Sequence, residues 1–284
     1  MDSVFHPAMA AAYRGDGPGF AALLDAWPGL VTGRSGCSHP TLLQFVCVEG
    51  GLGKVPDAES RAGELIERGA ALDEPLVAAA SVGSSSLVAL LLERGASVEA
   101  CAPWTPLEEA VYWGHAELAV RLRTEHGAAV GSLRAAAGLG DLEAAARFFD
   151  EEGLADSAGP VRFPWGVRSE APGDVLDQAL AVAAANGQDE MIRFLVERGA
   201  NPSAFPPGIH HGGTALHLAA LAGHATTVAC LVEAGADPSL RDERHGSTAA
   251  GWAEHDGHLA LARWLATPPP RPPVLPETGP ETVP

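Results

Sequence analysis

The chain has 284 residues, 46% of them hydrophobic and only 6% aromatic, so a core of mostly small aliphatic side chains is expected. With 18 Lys and Arg against 36 Asp and Glu, its formal charge is -18. This charge disfavours nucleic acid and anionic membrane surfaces as partners, and it would steer a basic protein or a cationic ligand toward the chain. No signal peptide, apolar run of membrane-spanning length or CxxC spacing is present, so we expect a reduced, cytoplasmic protein.

A repeating pattern of two short helices occupies most of the chain. Each copy has an Ala-rich helix, then a Gly, then a Leu- and Val-rich helix that ends at a second Gly. Such a unit buries its apolar face only by stacking on its neighbours. In chain order, the predicted units cover 6–27, 41–70 (with a small insert at 52–60), 74–96, 103–131, 131–154, 177–200, 213–242 and 246–266. About eight units should therefore form one domain over residues 1–266.

The residues between the predicted helices have clear physical roles. Gly199 and Gly235 stand where a helix should end in a left-handed cap, a conformation that Gly adopts at little cost. Pro202 and Pro238 follow soon afterwards and prevent the helix from resuming. Thr214 stands where the next helix needs a side-chain oxygen to cap its first N–H groups.

A fixed spacing of Thr and His links the clearest copies. The pairs ten residues apart are Thr105 and His115, Thr214 and His224, and Thr248 and His258. With the stretches TALHLAA, LVEAGADPS, LVERGANPS and LLERGASVE, the chain resembles the ankyrin repeat, whose signature is T-P-L-H-x-A-x-x-x-G-H, an apolar helix and L-L-x-x-G-A-D. The resemblance implies an all-α solenoid of stacked helix–turn–helix units with short hairpin loops. It also implies that partners bind the concave face, made of hairpin tips and the exposed side of each first helix.

Two segments depart from the repeat. Residues 155–176 replace the short hairpin between the fifth and sixth units and carry Phe163 and Trp165. This insert could act as a flap over the concave face. Residues 267–284 are Pro-rich and have no core-forming period, so we predict a disordered tail.

Mapping the variable positions and hairpin tips of the resemblance onto this sequence gives the candidate partner-binding residues. The fourth unit stands out because Trp104, Tyr112 and Trp113 would converge on one patch, and exposed Trp and Tyr are enriched in binding hot spots. A competing interpretation is that Trp104 or Trp113 packs under the 155–176 insert. The full set of candidates is Trp104, Glu109, Tyr112, Trp113, Phe163, Trp165, Asn186, His210, His211, Arg244, His245, His255 and Asp256.

Histidines fall into two groups. Those at signature positions, which the resemblance assigns to the scaffold, are His115, His217, His224 and His258. In the fourth unit Glu108 replaces the signature His, so we expect it to face neighbouring units. The remaining candidates for a transition-metal site are His210, His211, His245 and His255. Nothing in their spacing demands such a site, so no metal is predicted.

Recognisable catalytic motifs are absent from the sequence. We find no GxSxG elbow, phosphate-binding loop, HExxH or strand–GxGxxG–helix pattern, so no catalytic residues and no cofactor are predicted. We therefore expect a monomeric, non-enzymatic protein-interaction module or scaffold. The alternative is a small-molecule-binding or catalytic protein with a pocket under the 155–176 insert, where Phe163 and Trp165 would lie over the aromatic patch with Glu109 nearby.

Overall fold

A computed structural model describes residues 2–36, 40–163, 166–209 and 212–267 of the chain. The helices of the N-terminal half are α1 (Asp2–Tyr13), α2 (Gly17–Ala26), α3 (Gly29–Thr32), α4 (Leu42–Gly51), α5 (Ala58–Glu67), α6 (Asp73–Ser81), α7 (Ser85–Glu93), α8 (Pro106–Tyr112), α9 (Ala116–Thr124), α10 (Leu133–Leu139) and α11 (Leu142–Ala146). Four short strands follow: β1 (Phe149–Asp150), β2 (Gly153–Leu154), β3 (Val161–Phe163) and β4 (Gly166–Ser169). The remaining helices are α12 (Pro172–Ala185), α13 (Asp189–Glu197), α14 (Ala215–Leu221), α15 (Ala225–Glu233), α16 (Ala249–His255) and α17 (Leu259–Ala266). Within the described ranges, no helix has the length and apolar character needed to cross a membrane.

The helices are arranged in two rows. The first helix of each unit packs on the first helix of the next, in the order α1, α4, α6, α8, α10, α12, α14 and α16. Second helices also pack on one another, as α5 does on α7 and α13 on α15. The helical repeat fold predicted from the sequence is therefore confirmed, with eight helix pairs in the part of the chain that the structure describes.

Small side chains set the spacing of the first row. Fully buried alanines on successive first helices include Ala79, Ala110, Ala136, Ala183 and Ala219. The distance between packed helices depends on the side chains at their contact, so a methyl group permits a close approach that a larger side chain would prevent. The Ala-rich first helices of the sequence are thus what allow the units to stack tightly.

The fifth unit brings its two neighbours into direct contact. Gly138 in α10 has no side chain, and a Cβ atom there would lie 2.4 Å from Cβ of Val111 in α8 and 3.1 Å from Cγ1 of Val182 in α12. Helices α8 and α12 consequently touch across α10. The side chain of Asn186, at the end of α12, reinforces this contact, because its Nδ2 donates to the backbone oxygen of Val111 at 2.6 Å. Units four and six are therefore joined directly.

A buried ion pair lies in the same region. Oε2 of Glu108 in α8 accepts a hydrogen bond from Nε of Arg134 in α10 at 2.8 Å and lies 2.7 Å from its Nη2, and each side chain is only 5% exposed. Ser132 donates its hydroxyl to the other oxygen of Glu108 at 2.6 Å. Arg134 also donates to Oε1 of Gln178 in α12 at 3.0 Å. The expectation that Glu108 faces neighbouring units is confirmed.

The departure from the paired α-helices runs over 149–171 and includes a short 3₁₀ helix at Asp156–Ala158, so it begins and ends earlier than the expected insert at 155–176. Its start is early because α11 has only five residues, and its end is early because Pro172 begins α12, where a missing N–H is tolerated. The segment contains two antiparallel hairpins, β1–β2 and β3–β4. Gln178 attaches β3 to the solenoid, since its amide accepts from the backbone N–H of Arg162 at 3.3 Å and donates to that residue's oxygen at 2.7 Å.

We predict that Glu108→Ala lowers the free energy of unfolding by about 3–5 kcal/mol, because Arg134 would remain buried without its carboxylate. The double variant Glu108→Leu/Arg134→Met should recover part of this loss, since it leaves no buried charge. Urea unfolding at neutral pH measures both effects, with Glu117→Ala on the exposed side of α9 as the control. Equal losses in the single and double variants would contradict the prediction.

Candidate functional site

Four first helices end at one surface of the solenoid. Helix α8 ends at Tyr112, α12 at Ala185, α14 at Leu221 and α16 at His255. Two cavities of about 320 and 480 Å³ lie among these ends, and both are lined by Leu221 and Asp256. We call the two cavities together the helix-end groove. The smaller is also lined by Tyr112, Trp113, Gly114, Ala185, Ile209, Leu218 and Ala222, and the larger by His245, Ser247, Gly251, Trp252 and His255.

The aromatic residues of the fourth unit lie mostly inside the fold. Trp104 and Tyr112 are each 8% exposed, so the expectation that they form an exposed patch is wrong. Their rings meet edge to face with centroids 5.4 Å apart, and Tyr112 contacts Trp113 in the same way at 5.2 Å. The guanidinium of Arg134 lies 4.7 Å from the centre of the Trp104 ring. Trp113 is less buried, and it lines the smaller cavity beside Tyr112.

A buried carboxylate holds two of these rings. Glu109 is only 5% exposed, which differs from the expectation of an accessible partner-binding residue. One of its oxygens accepts from the indole N–H of Trp113 at 2.9 Å, and the other accepts from the indole N–H of Trp104. Burial raises the pKa of the Glu109 carboxyl above its ordinary value, although the two indole N–H groups act in the opposite direction. Glu109 therefore fixes the ring of Trp113 at the edge of the groove.

The loop before α14 covers the aromatic residues. The hydroxyl of Tyr112 donates to the backbone oxygen of Gly208 at 2.8 Å. The next residue, Ile209, lines the smaller cavity and packs against the core on both sides of the fifth unit. The competing interpretation placed the 155–176 insert over Trp104 or Trp113. The residue that accepts the hydrogen bond from Tyr112 is Gly208, which lies in a later loop.

The hairpin between α15 and α16 forms one wall of the larger cavity. Asp242, which is 3% exposed, holds it in shape. One carboxylate oxygen accepts from the backbone N–H groups of Arg244 and His245, at 2.9 and 2.6 Å. The other accepts from the N–H of Ser247 and the indole of Trp252, at 2.9 and 3.0 Å. Burial alone would raise the pKa of Asp242, but these hydrogen bonds outweigh it and lower the pKa to about 2.

Asp242 is a residue that the sequence analysis missed. Its signal is the pattern Asp-x-x-x-Gly-Ser over 242–247, because an Asp before a Gly in a short connection often accepts hydrogen bonds from the following backbone. Ile209 was missed as well, and no local pattern marks it, since its place in the groove depends on how its loop folds back.

Several predicted residues do meet at the groove. Trp113 lines the smaller cavity, while His245 and His255 line the larger one. Asp256 lines both cavities beside Leu221. The mapping from the repeat signature thus selected side chains that the fold brings together, although their binding role stays a prediction.

Other predicted residues lie elsewhere. Arg244 is exposed on its hairpin and lines neither cavity. Phe163 lies in β3, with the guanidinium of Arg168 at 4.1 Å from its ring centre. Asn186 is 4% exposed because its amide joins α12 to α8, so it differs from the expected accessible position. The residues Trp165, His210 and His211 lie outside the described residues.

Signature histidines serve the scaffold as the resemblance implied. His115 and His224 each hydrogen-bond, at 3.0 and 3.2 Å, to a carbonyl oxygen at the end of another unit's first helix. His217 contacts the N-cap Thr214 at 2.9 Å and a carbonyl oxygen of the following hairpin at 3.1 Å. Burial lowers the pKa of His217, which favours its neutral form.

A third cavity of about 250 Å³ lies beside the insert, between Asp156 and Glu170. Its described lining includes neither Phe163 nor Glu109, two of the three residues that the small-molecule alternative named, and the third, Trp165, lies outside the described residues. Across the described ranges, no group of three or more His, Cys, Asp and Glu side chains is placed to hold a metal ion.

We predict that Glu109→Gln changes how stability depends on pH. The pKa of Glu109 is raised in the folded protein, so its contribution is greatest below its ordinary value of 4.5 and is lost as pH rises through the folded pKa. Stability of the variant relative to the wild type, measured by urea unfolding, should therefore increase as the pH rises above 4.5. Glu117→Gln serves as the exposed control, and a difference independent of pH would contradict the prediction.

We predict that Asp242→Asn destabilises the fold by about 2 kcal/mol at neutral pH, because an amide nitrogen cannot accept hydrogen bonds from Ser247 and Trp252. The pKa of Asp242 is lowered from 3.8 to about 2, so its stabilisation is full above 3.8 and lost as pH falls toward 2. Thermal unfolding should show the two proteins converging over that interval. If the stability difference between Asp242→Asn and the wild type stays constant over that interval, the ionic contribution of Asp242 is disproved. Glu243→Gln, at the neighbouring exposed position, is the control.

Comparison with known proteins agrees with this architecture. A family model described as ankyrin repeats matches residues 180–271 in three copies. No curated protein matches the chain. The chain therefore carries ankyrin repeats, three of them within 180–271, in a solenoid of stacked helix pairs.

Proposed function

We propose that the chain binds a partner protein and that the helix-end groove is the main contact surface. Ankyrin repeats are in general protein-interaction modules. The observation that carries the proposal is that Leu221 and Asp256 line both cavities, which places the two cavities side by side at the ends of four first helices. A groove of this form suits a loop or an extended segment, with side chains entering both cavities.

The walls of the groove suit an apolar anchor. Trp113, Leu218, Leu221 and Trp252 provide aromatic and aliphatic surface. Burying one Val- to Phe-sized side chain against such surface contributes about 1.5–3 kcal/mol. Large aromatic and aliphatic residues in a pocket are also where binding energy concentrates in protein interfaces.

The same walls are held in place before any partner arrives. Glu109 fixes the indole of Trp113, and Asp242 fixes Trp252 together with the hairpin that carries His245. Pre-formed walls reduce the entropy that is lost when side chains become ordered on binding. This arrangement supports recognition by a rigid surface.

We further propose a non-enzymatic scaffold role in the cytoplasm. Cys47 and Cys230 are unpaired and buried, which suits a reducing compartment. Burial raises the pKa of both thiols, so the reactive thiolate form is disfavoured. These cysteines therefore behave as small apolar residues of the core.

Selection of binders from a displayed random-peptide library against the whole chain tests the proposal. Leu221→Arg places a charged side chain at the junction of the cavities. We predict that it weakens binding of the selected peptides by about tenfold or more, equivalent to ~1.4 kcal/mol, in titration calorimetry.

The matched control is Leu259→Arg, because Leu259 is 55% exposed and lines neither cavity. This variant should bind the peptides as the wild type does, and circular dichroism should show that both variants remain helical. Peptides that bind Leu221→Arg as tightly as the wild type would place the interface outside the groove.

A further inference from the structure

The groove offers an exposed carboxylate, that of Asp256, on the lining that its two cavities share. The side chain of Asp256 is 56% exposed, and its Oδ2 lies 3.5 Å from Nε2 of His258. Asp256 directly follows α16 and lines both cavities. Its carboxylate is therefore accessible from either side of the junction.

The ends of the surrounding helices add to this negative character. The last carbonyl groups of a helix have no partner within the helix. Trp113, Ala222 and Asp256 cap the ends of α8, α14 and α16, and all three line the groove. Partial negative charge of the terminal peptide groups is thus directed toward the same surface.

No cationic side chain of Lys or Arg opposes this charge on the described lining of the two cavities. The ionisable residues there are His245, His255 and Asp256. The chain as a whole carries a formal charge of -18. Both the local and the overall charge therefore favour a cationic segment and disfavour an acidic one.

We propose that the groove binds a protein segment that carries a Lys or Arg between two apolar side chains, with the cation beside Asp256 and one apolar side chain in each cavity. This inference rests on the proposed function and specifies its partner by charge and by pattern. The smaller cavity is lined by the ends of α8, α12 and α14, the larger by the ends of α14 and α16, and packed helices lie roughly 8–10 Å apart. In a polyproline-like segment, side chains three positions apart face the same side and are separated by about 9 Å, which matches this spacing.

The test uses two synthetic peptides that differ at one position. Both have leucines three positions apart within neutral flanks, and one of the two residues between the leucines is Lys in one peptide and Glu in the other. We expect the intact chain to bind the Lys peptide about tenfold more tightly at low salt, with the preference shrinking as salt is added. Fluorescence anisotropy of labelled peptides measures both affinities.

Charge reversal locates the preference. Asp256→Lys should abolish or invert the preference for the Lys peptide. Glu254→Lys, an equal change at an exposed position that lines neither cavity, should leave most of it in place. A preference that survives Asp256→Lys, or that both variants reduce equally, would overturn the inference.

The outcome also separates this inference from the proposed function. Equal affinity for the two peptides, or no measurable binding of either, overturns the requirement for a central cation. If Leu221→Arg abolishes the binding of the library-selected peptides, the groove is still a protein interface. If those peptides are insensitive to Leu221→Arg, the proposed function itself fails.

Discussion

The close approach of the first helices is the constraint on which the rest of this structure depends. Ala110, Ala136 and Ala183 are fully buried along α8, α10 and α12, and Gly138 removes even a methyl group at the narrowest point. Because these helices lie so near one another, their ends reach a common surface. The helix-end groove follows from this stacking, since residues that end or cap α8, α12, α14 and α16 form much of its lining.

Tight stacking also determines how the polar residues of the middle units are used. Glu108 and Arg134 satisfy each other between α8 and α10, and Glu109 is shared by two indoles. The carboxylates of Glu108 and Glu109 are buried and bonded inside the fold, so neither is presented at the surface. Asp256, at the edge of the stack, remains accessible. Asp256 is therefore the carboxylate on the described lining of the groove.

The repeat could be predicted from the sequence because each unit marks its own boundaries. Thr105 and Thr248 begin helices through side-chain caps, as their spacing indicated. Trp113 and Asp256 follow helix ends, so the signature was enough to place them on a shared surface. Helix starts and helix ends depend on residues close together in the chain, so a single sequence is enough to predict them.

Burial of the aromatic rings could not be predicted in the same way. Tyr112 is held by Gly208, which lies 96 positions later in the chain, and no repeat signature describes a loop that folds back so far. The hairpins of 149–171 were missed for a different reason. Strands of two to four residues have too few positions to show an alternating pattern.

Direct contact between α8 and α12 has a consequence for how the solenoid unfolds. In most repeat proteins each unit interacts only with its immediate neighbours, so units can melt from either end almost independently. Here the amide of Asn186 and the absent side chain of Gly138 couple the fourth unit to the sixth. Unfolding of the fifth unit would disrupt its interfaces with the fourth and sixth units and also the contact between those two units. The middle of the stack therefore forms a cooperative block, and units could be added or removed at the ends of the chain far more readily than at its centre.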